Sequence, residues 1–236
     1  MRSTLTSGET SLSALTTGDV SAARTQIIAI AVGSCEQHGK HLPLDTDTRI
    51  AEALCATLAS THEGVLVGPT ISITASGEHQ GFAGTLSIGT VALTTVLVEI
   101  VRSADWARGV IFVNGHGGNA QAVNDAIKLL RREGRNASAW WPRIESGDAH
   151  AGFTETSLML AIDPTAVRLE FAEVGETRPL AEIASELRRG GVAAVSDNGV
   201  LGDPRSATAQ HGQELLTTLD EQLRDHFASE TATWIQ

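Results

Sequence analysis

The chain is short of cysteine, of positive charge and of long apolar runs, and each shortage excludes something. Only Cys35 and Cys55 occur among 236 residues, and two thiols cannot build the disulfide framework of a small secreted scaffold. A reducing cytoplasm is the expected setting. Lys and Arg number 17 against 28 Asp and Glu, giving a formal net charge of -11, which repels the phosphates of nucleic acid and anionic membrane surfaces. No window approaches the roughly 18 to 20 apolar residues of a membrane span. Neither nucleic acid nor membrane is therefore an expected partner. No Gly-x-Ser-x-Gly elbow is present, which argues against a serine nucleophile, and no internal repeat stands out.

What remains, 42% hydrophobic and 19% charged residues, fits one globular α/β domain. Residues 1–24, rich in Ser, Thr and Gly, read as a flexible N-terminal arm or a short helix, with a single domain over residues 25–236. Within the latter, "TQIIAIAVGS" is a buried-strand run that ends at a polar segment. A helix is expected over residues 48–60, a strand region in "GVLVGPTISI", and a mostly apolar helix in "VALTTVLVEIVRSADWA". The stretch "GVIFVNGHGGN" reads as a strand breaking into a glycine turn, followed by an amphipathic helix with Gly134 near its C-cap. "NASAWW" is a further strand, and the last third reads as two helices flanking a glycine-punctuated loop able to rim a pocket. This alternation predicts a three-layer α/β/α sandwich with a mostly parallel central sheet, because parallel strands need crossover connections. Ligands of such sheets bind beyond the strands' C-terminal edge.

Three polar loops follow three of these strands. The first, "GSCEQHGKHLPLDTDTR", crowds Glu36, His38, His41, Asp45 and Asp47 together. Glu36 and His38, separated by one residue, point to the same side of an extended backbone. Asp47 returns a carboxylate across the intervening turn. The second loop places His116 among glycines in "NGHGGN", and the third carries His150 and Glu155 in "DAHAGFTETS". Imidazole and carboxylate together suit Zn, Fe or Mn. Singly, each histidine reads better as a hydrogen-bonded strand-end residue, and Glu155 as support for a helix N-terminus. Jointly, three such loops on one sheet edge favour a shared metal site. Asp45 is read as supporting the turn and His41 as orienting a ligand or contacting substrate, so both are expected to back the ligands or meet substrate rather than hold the metal. Glu78 and His79 in "SGEHQGF" line the pocket or form a polar turn beside it. Cys35 reads as a small sheltered residue rather than a nucleophile.

Four ordered segments, "GSCEQHGKHLPLDTDT", "GEHQGFAGTLSIG", "NGHGGN" and "DAHAGFTETS", resemble the signature segments of the creatininase family of metal-dependent amidohydrolases. The resemblance implies an α/β sandwich, a homo-oligomer, and two divalent metal ions per chain at the C-terminal edge of the sheet. It implies Glu36, Asp47 and His116 as ligands of one metal, with His38 and the same Asp47 at the other. Creatininase has a glutamate two residues after its NGH histidine where this chain has Gly118, which leaves the second metal short of a carboxylate; Glu155 is the replacement to expect. His150 matches a catalytic histidine, implying acid/base or substrate-orienting work. Within the family, "TDTRIA", "SGEHQGFAGT" and "GGVAAVSDNGVLGDP" most resemble peptidases that trim a modified precursor peptide during redox-cofactor biosynthesis. The alternative is an amidohydrolase of a small cyclic amide or formamide.

Overall fold

The run Ile27–Val32 (β1) is apolar and buried at every position, so it needs cover on both faces of the pleat. The computed structural model, which describes residues 10–21, 26–145 and 147–234, supplies that cover with helices. Among the described residues β1 lies in a four-stranded sheet with β2 (Val65–Val67), β3 (Gly109–Asn114) and β4 (Ala137–Trp140), in the order β2-β1-β3-β4. All three pairings are parallel, and β1 with β3 runs in register from Ile27 opposite Gly109 to Val32 opposite Asn114.

The two faces follow from the period-2 alternation of the strands. Ile27, Ala29 and Ala31 of β1 and Ile111 and Val113 of β3 pack against helices α2 (Thr46–Thr61), α5 (Phe153–Ile162) and α7 (Ala209–Ala232). Ile28, Ile30, Val110 and Phe112 face α3 (Gly89–Ser103) and α4 (Ala120–Arg132) on the other side. Helix α1 (Thr17–Ser21) precedes the sheet, and α6 (Leu180–Gly190) follows α5. The expected three-layer sandwich is thus observed. Gly134, at φ +74°, ends α4 as its sequence position suggested.

Two differences have local causes. The strand expected across residues 64–73 is only Val65–Val67. Pro69 lacks an N–H for the ladder, and pairing to β1 resumes at Ile71, whose N–H donates to Ala31 O at 2.9 Å. Of the N-terminal segment, residues 1–9 and 22–25 lie outside the described residues. Thr10 O accepts from Val67 N at 2.7 Å, and Leu12 packs on the α3–α4 side of the core.

Glycines set the approach of β1 and β3 to the start of α2. A Cβ on Gly33 would stand 2.4 Å from Thr48 Cα, and one on Gly115 would stand 2.4 Å from Asp47 O. The first turn of α2 is therefore pressed against both strand ends. Gly115→Ala is expected to destabilise the fold by about 1–3 kcal/mol through overpacking and to displace Asp47. Urea midpoints compared with wild type measure the first effect, and unchanged midpoints would contradict so close an approach.

Candidate metal centre

β1, β3 and the segment after β4 deliver their following loops to one sheet edge, where Glu36, His38, Asp47, His79, His116 and His150 are all buried. Asp47 sits at the middle. Its Oδ1 is 3.2 Å from His38 Nε2, its Oδ2 is 3.1 Å from His116 Nδ1, and Ser34 Oγ donates to Oδ2 at 2.9 Å. Lying in the first turn of α2, the carboxylate also gains from the helix dipole. Glu36 Oε2 lies 3.2 Å from His116 Nε2, and Glu36 Oε1 lies 3.4 Å from His79 Nε2 and 3.8 Å from His150 Nδ1.

Glu36 is fully buried, yet neither of its carboxylate oxygens accepts a hydrogen bond. A bare carboxylate in that state is strongly disfavoured, whereas one that ligates a cation is satisfied. Among the described residues, three groups of side chains have ligand atoms close enough to share an ion: Glu36, Asp47 and His116; His38, Asp47 and Glu155; and Glu36, His38 and His150. The donor set of imidazole and carboxylate suits divalent zinc, iron or manganese.

Glu155, in the first turn of α5, stands 3.7 Å from His38 Nε2 and accepts from Ala151 N at 2.6 Å. It thus stands at the N-terminal end of α5 and faces the cluster. Ala151 holds a positive φ of 52° at this point, an uncommon conformation for a residue with a Cβ. His150 Nε2–H donates to Gln37 O at 2.8 Å, which leaves Nδ1 toward Glu36. The late glycine loop holds this segment from behind, since Leu201 N donates to His150 O at 2.8 Å.

Glu78 and His79 do line the centre. His79 Nδ1 contacts Gln37 Nε2 at 2.9 Å, and Glu78 Oε1 is 3.3 Å from His116 Nε2. His41 is buried and bonded through Nε2 to Thr156 Oγ1 at 2.9 Å, linking the first loop to α5. Asp45 is not brought to the cluster. It precedes α2, half exposed, and pairs with Arg49 one helical turn on at 2.8 Å, so it does not stand behind a ligand or face the pocket as expected from sequence. Cys35 contacts Gly84 O and belongs to none of the ligand groups.

Sequence reasoning missed the residues that tie the loops together. Asn119 Nδ2 donates to Gly33 O at 2.9 Å and to Asn114 Oδ1 at 3.0 Å, while its Oδ1 accepts from Ala75 N at 3.1 Å. Gln37 Nε2 donates to Gly199 O at 2.9 Å. Asp148 accepts from Thr154 N at 3.0 Å and from Phe153 N, capping α5. The final asparagine of "NGHGGN" was a usable signal. Gln37 offered none, because its partners lie far along the chain. A cavity of about 230 Å³ opens beside the cluster, lined by His116, Glu155, Ile50, Trp141, Pro142 and Leu158 among others.

The charges bias proton positions. Burial alone would lower His38, but the Asp47 carboxylate, with Glu155 and Glu36, raises it to about 9. His116 is likewise raised well above 6.5 against burial, by Asp47, Glu36 and Glu78. Burial and the neighbouring Asp47 raise Glu155 to about 7. Burial, then His38 and His79, hold His150 well below 6.5. In metal-free protein the raised imidazoles contribute stability that is complete below pH 6.5 and is lost as pH rises through about 9. The denaturation midpoint in chelator should therefore fall between pH 7 and pH 9. Added divalent metal should reverse the trend, because the cations displace those protons. A chelated midpoint that is flat or rising over this window would show that the imidazoles are not charged.

A parallel sheet with a buried carboxylate–imidazole cluster at its C-terminal edge defines the class, and the sequence comparison agrees: the chain belongs to the creatininase family, whose model, described as creatinine amidohydrolase, matches residues 13–227. It is similar to the mycofactocin precursor peptide peptidase of Mycobacterium tuberculosis, at 52% identity over 203 residues covering 81% of this chain and 80% of that one. The peptidase of the same name from Mycolicibacterium smegmatis is 50% identical over 200 residues, covering 82% and 81%. Among solved structures, a variant creatininase of Zn-Zn type superposes with a TM-score of 0.80 at 23% identity, covering 94% of this chain and 98% of that one. The fold expected from sequence is thereby borne out.

Proposed function

We propose that this protein is a metal-dependent peptidase that releases a short C-terminal fragment from the modified mycofactocin precursor peptide. Half-identity over most of the chain to peptidases of that name supports the substrate. The observation that carries the hydrolytic reading is Glu36, a buried carboxylate with no hydrogen-bond donor, facing two imidazoles within 3.4 Å. Glu36, Asp47 and His116 would hold one divalent ion, and His38, Asp47 and Glu155 the other. Two such ions would supply an activated water and a polarised amide carbonyl.

The chain's own groups do the rest. Gln37 O fixes the Nε2–H tautomer of His150, so the Nδ1 lone pair faces the cluster. A neutral imidazole so placed takes a proton from the attacking water and returns it to the leaving amine nitrogen. Ile50, Trp141, Pro142 and Leu158 give the adjoining cavity an apolar wall that suits a peptide side chain. Homo-oligomeric assembly and a cytoplasmic setting belong to the same reading; among the described residues no helix is long and apolar enough to cross a membrane.

The deciding experiment is mass spectrometry of products from the modified precursor, with metal-loaded and metal-stripped protein side by side. Release of a C-terminal fragment only when metal is present is the expected result. Absence of release by protein holding both metals would transfer the assignment to a small cyclic amide or formamide. Glu155→Ala is expected to reduce bound metal from two ions per chain to one, read by plasma mass spectrometry. Retention of two tightly held ions would remove Glu155 from the ligand set.

A further inference from the structure

His116 Nε2 is surrounded by oxygen. Glu36 Oε2 lies at 3.2 Å, Ala75 O at 3.2 Å and Glu78 Oε1 at 3.3 Å. One N–H serves one acceptor well, so three oxygens on a single ring nitrogen exceed what hydrogen bonding needs. Glu78 is also the odd member of the set. Its side chain is 34% exposed, so it has a path to water, yet it turns inward to an imidazole. No lysine or arginine pairs with it among the described residues.

The surroundings are shaped to admit this carboxylate. A Cβ at position 118 would stand 2.0 Å from Glu78 Oε1 and 2.4 Å from His116 Nε2. Gly118 thus leaves open the volume that the Glu78 carboxylate occupies. The short turn Gly77–His79 that carries Glu78 is pinned from outside as well. Gly191, at φ +67° just after α6, approaches so closely that a Cβ there would stand 2.4 Å from Glu78 O. On the inner side, His79 anchors the same turn to Gln37 and Glu36.

We propose that Glu78, which contacts His116 but stands outside the three groups whose ligand atoms already lie close enough to share an ion, turns in from that contact to become a further protein ligand of the cation held by Glu36, Asp47 and His116. The proposal rests on the two-metal reading above. It adds a third carboxylate to a site that otherwise has two carboxylates and one imidazole, a donor set that favours a hard, oxygen-preferring divalent ion. It also accounts for glycine at position 118, where any side chain would displace Glu78.

Glu78→Gln separates ligation from hydrogen bonding, because the amide oxygen still accepts an N–H from His116 but carries no charge. Zinc content after dialysis and affinity by chelator competition are the readouts, together with the visible spectrum of the Co²⁺-substituted protein. Wild type should hold two ions. In Glu78→Gln one of the two sites should weaken on the order of tenfold or more, with a changed Co²⁺ spectrum for that site alone. Glu78→Ala should behave like Glu78→Gln. If Glu78→Gln matches wild type in both affinities and in spectrum, Glu78 is not a ligand. If Gln preserves affinity and Ala loses it, Glu78 serves only as a hydrogen-bond acceptor and the proposal is equally overturned. A wild-type protein that holds no metal would overturn the two-metal reading itself, a result distinct from either. The thermal midpoint in chelator, compared between variants, confirms that the fold is intact.

Discussion

Asp47→Asn is expected to leave the protein unable to retain either metal and to reduce peptide hydrolysis to the level of metal-stripped wild type. The substitution is nearly isosteric, so the first turn of α2 and its contact with Gly115 can survive. The chemistry cannot. Asp47 has one oxygen beside His38 and the other beside His116, so it is the one side chain shared by both proposed sites. An amide is a poor ligand, and only its oxygen can serve, so the bridge is lost. Metal-free stability should suffer too. Removing the carboxylate leaves His38 and His116, both raised by it, without their main counter-charge inside the fold. Breaking a buried pair in this way costs about 3–5 kcal/mol. Metal analysis of the dialysed protein and urea unfolding in chelator read the two effects separately. Full metal content in Asp47→Asn would end the shared-ligand assignment.

His150→Ala is expected to lower the turnover of the precursor peptide by about 10²- to 10⁴-fold while both metals stay bound. The magnitude is that of general acid–base catalysis rather than of ligand loss. His150 is ringed by His38 and His79, at centroid separations of 4.3 and 4.4 Å, and its Nε2–H is committed to the Gln37 carbonyl. These contacts keep the ring neutral and its Nδ1 free to carry a proton. Because Glu36, His38 and His150 also form a group able to share an ion, metal content decides between roles. Loss of one ion from His150→Ala would make His150 a ligand. Undiminished turnover would remove it from the reaction altogether.

Much of this centre was legible in the sequence because it follows strands of unmistakable pattern. IIAIAV and GVIFVN are apolar at nearly every position, which only a strand covered on both faces tolerates. The residues that follow them, Glu36 and His116, could then be placed on the sheet edge without coordinates. The strand in "GVLVGPTISI" was read too long, because apolar content continues past Pro69 while the hydrogen-bond ladder does not. Asp45 and Asp47 look equivalent in sequence. They differ because helical geometry turns Asp47 inward from the first turn of α2 and leaves Asp45, outside it, to pair with Arg49.

The sequence by itself determined the elements, their parallel arrangement, and the kinds of side chain that follow the strand ends, since these depend on local periodicity and on residue chemistry. Only the tertiary structure decided which side chains meet. Gln37 reaches His79, His150 and Gly199, and Glu78 fills the space left by Gly118. Such contacts join loops dozens to more than a hundred residues apart. Their distances are set by strand register and by how closely α2, α5 and the late glycine loop dock on the sheet, and no local pattern encodes those distances.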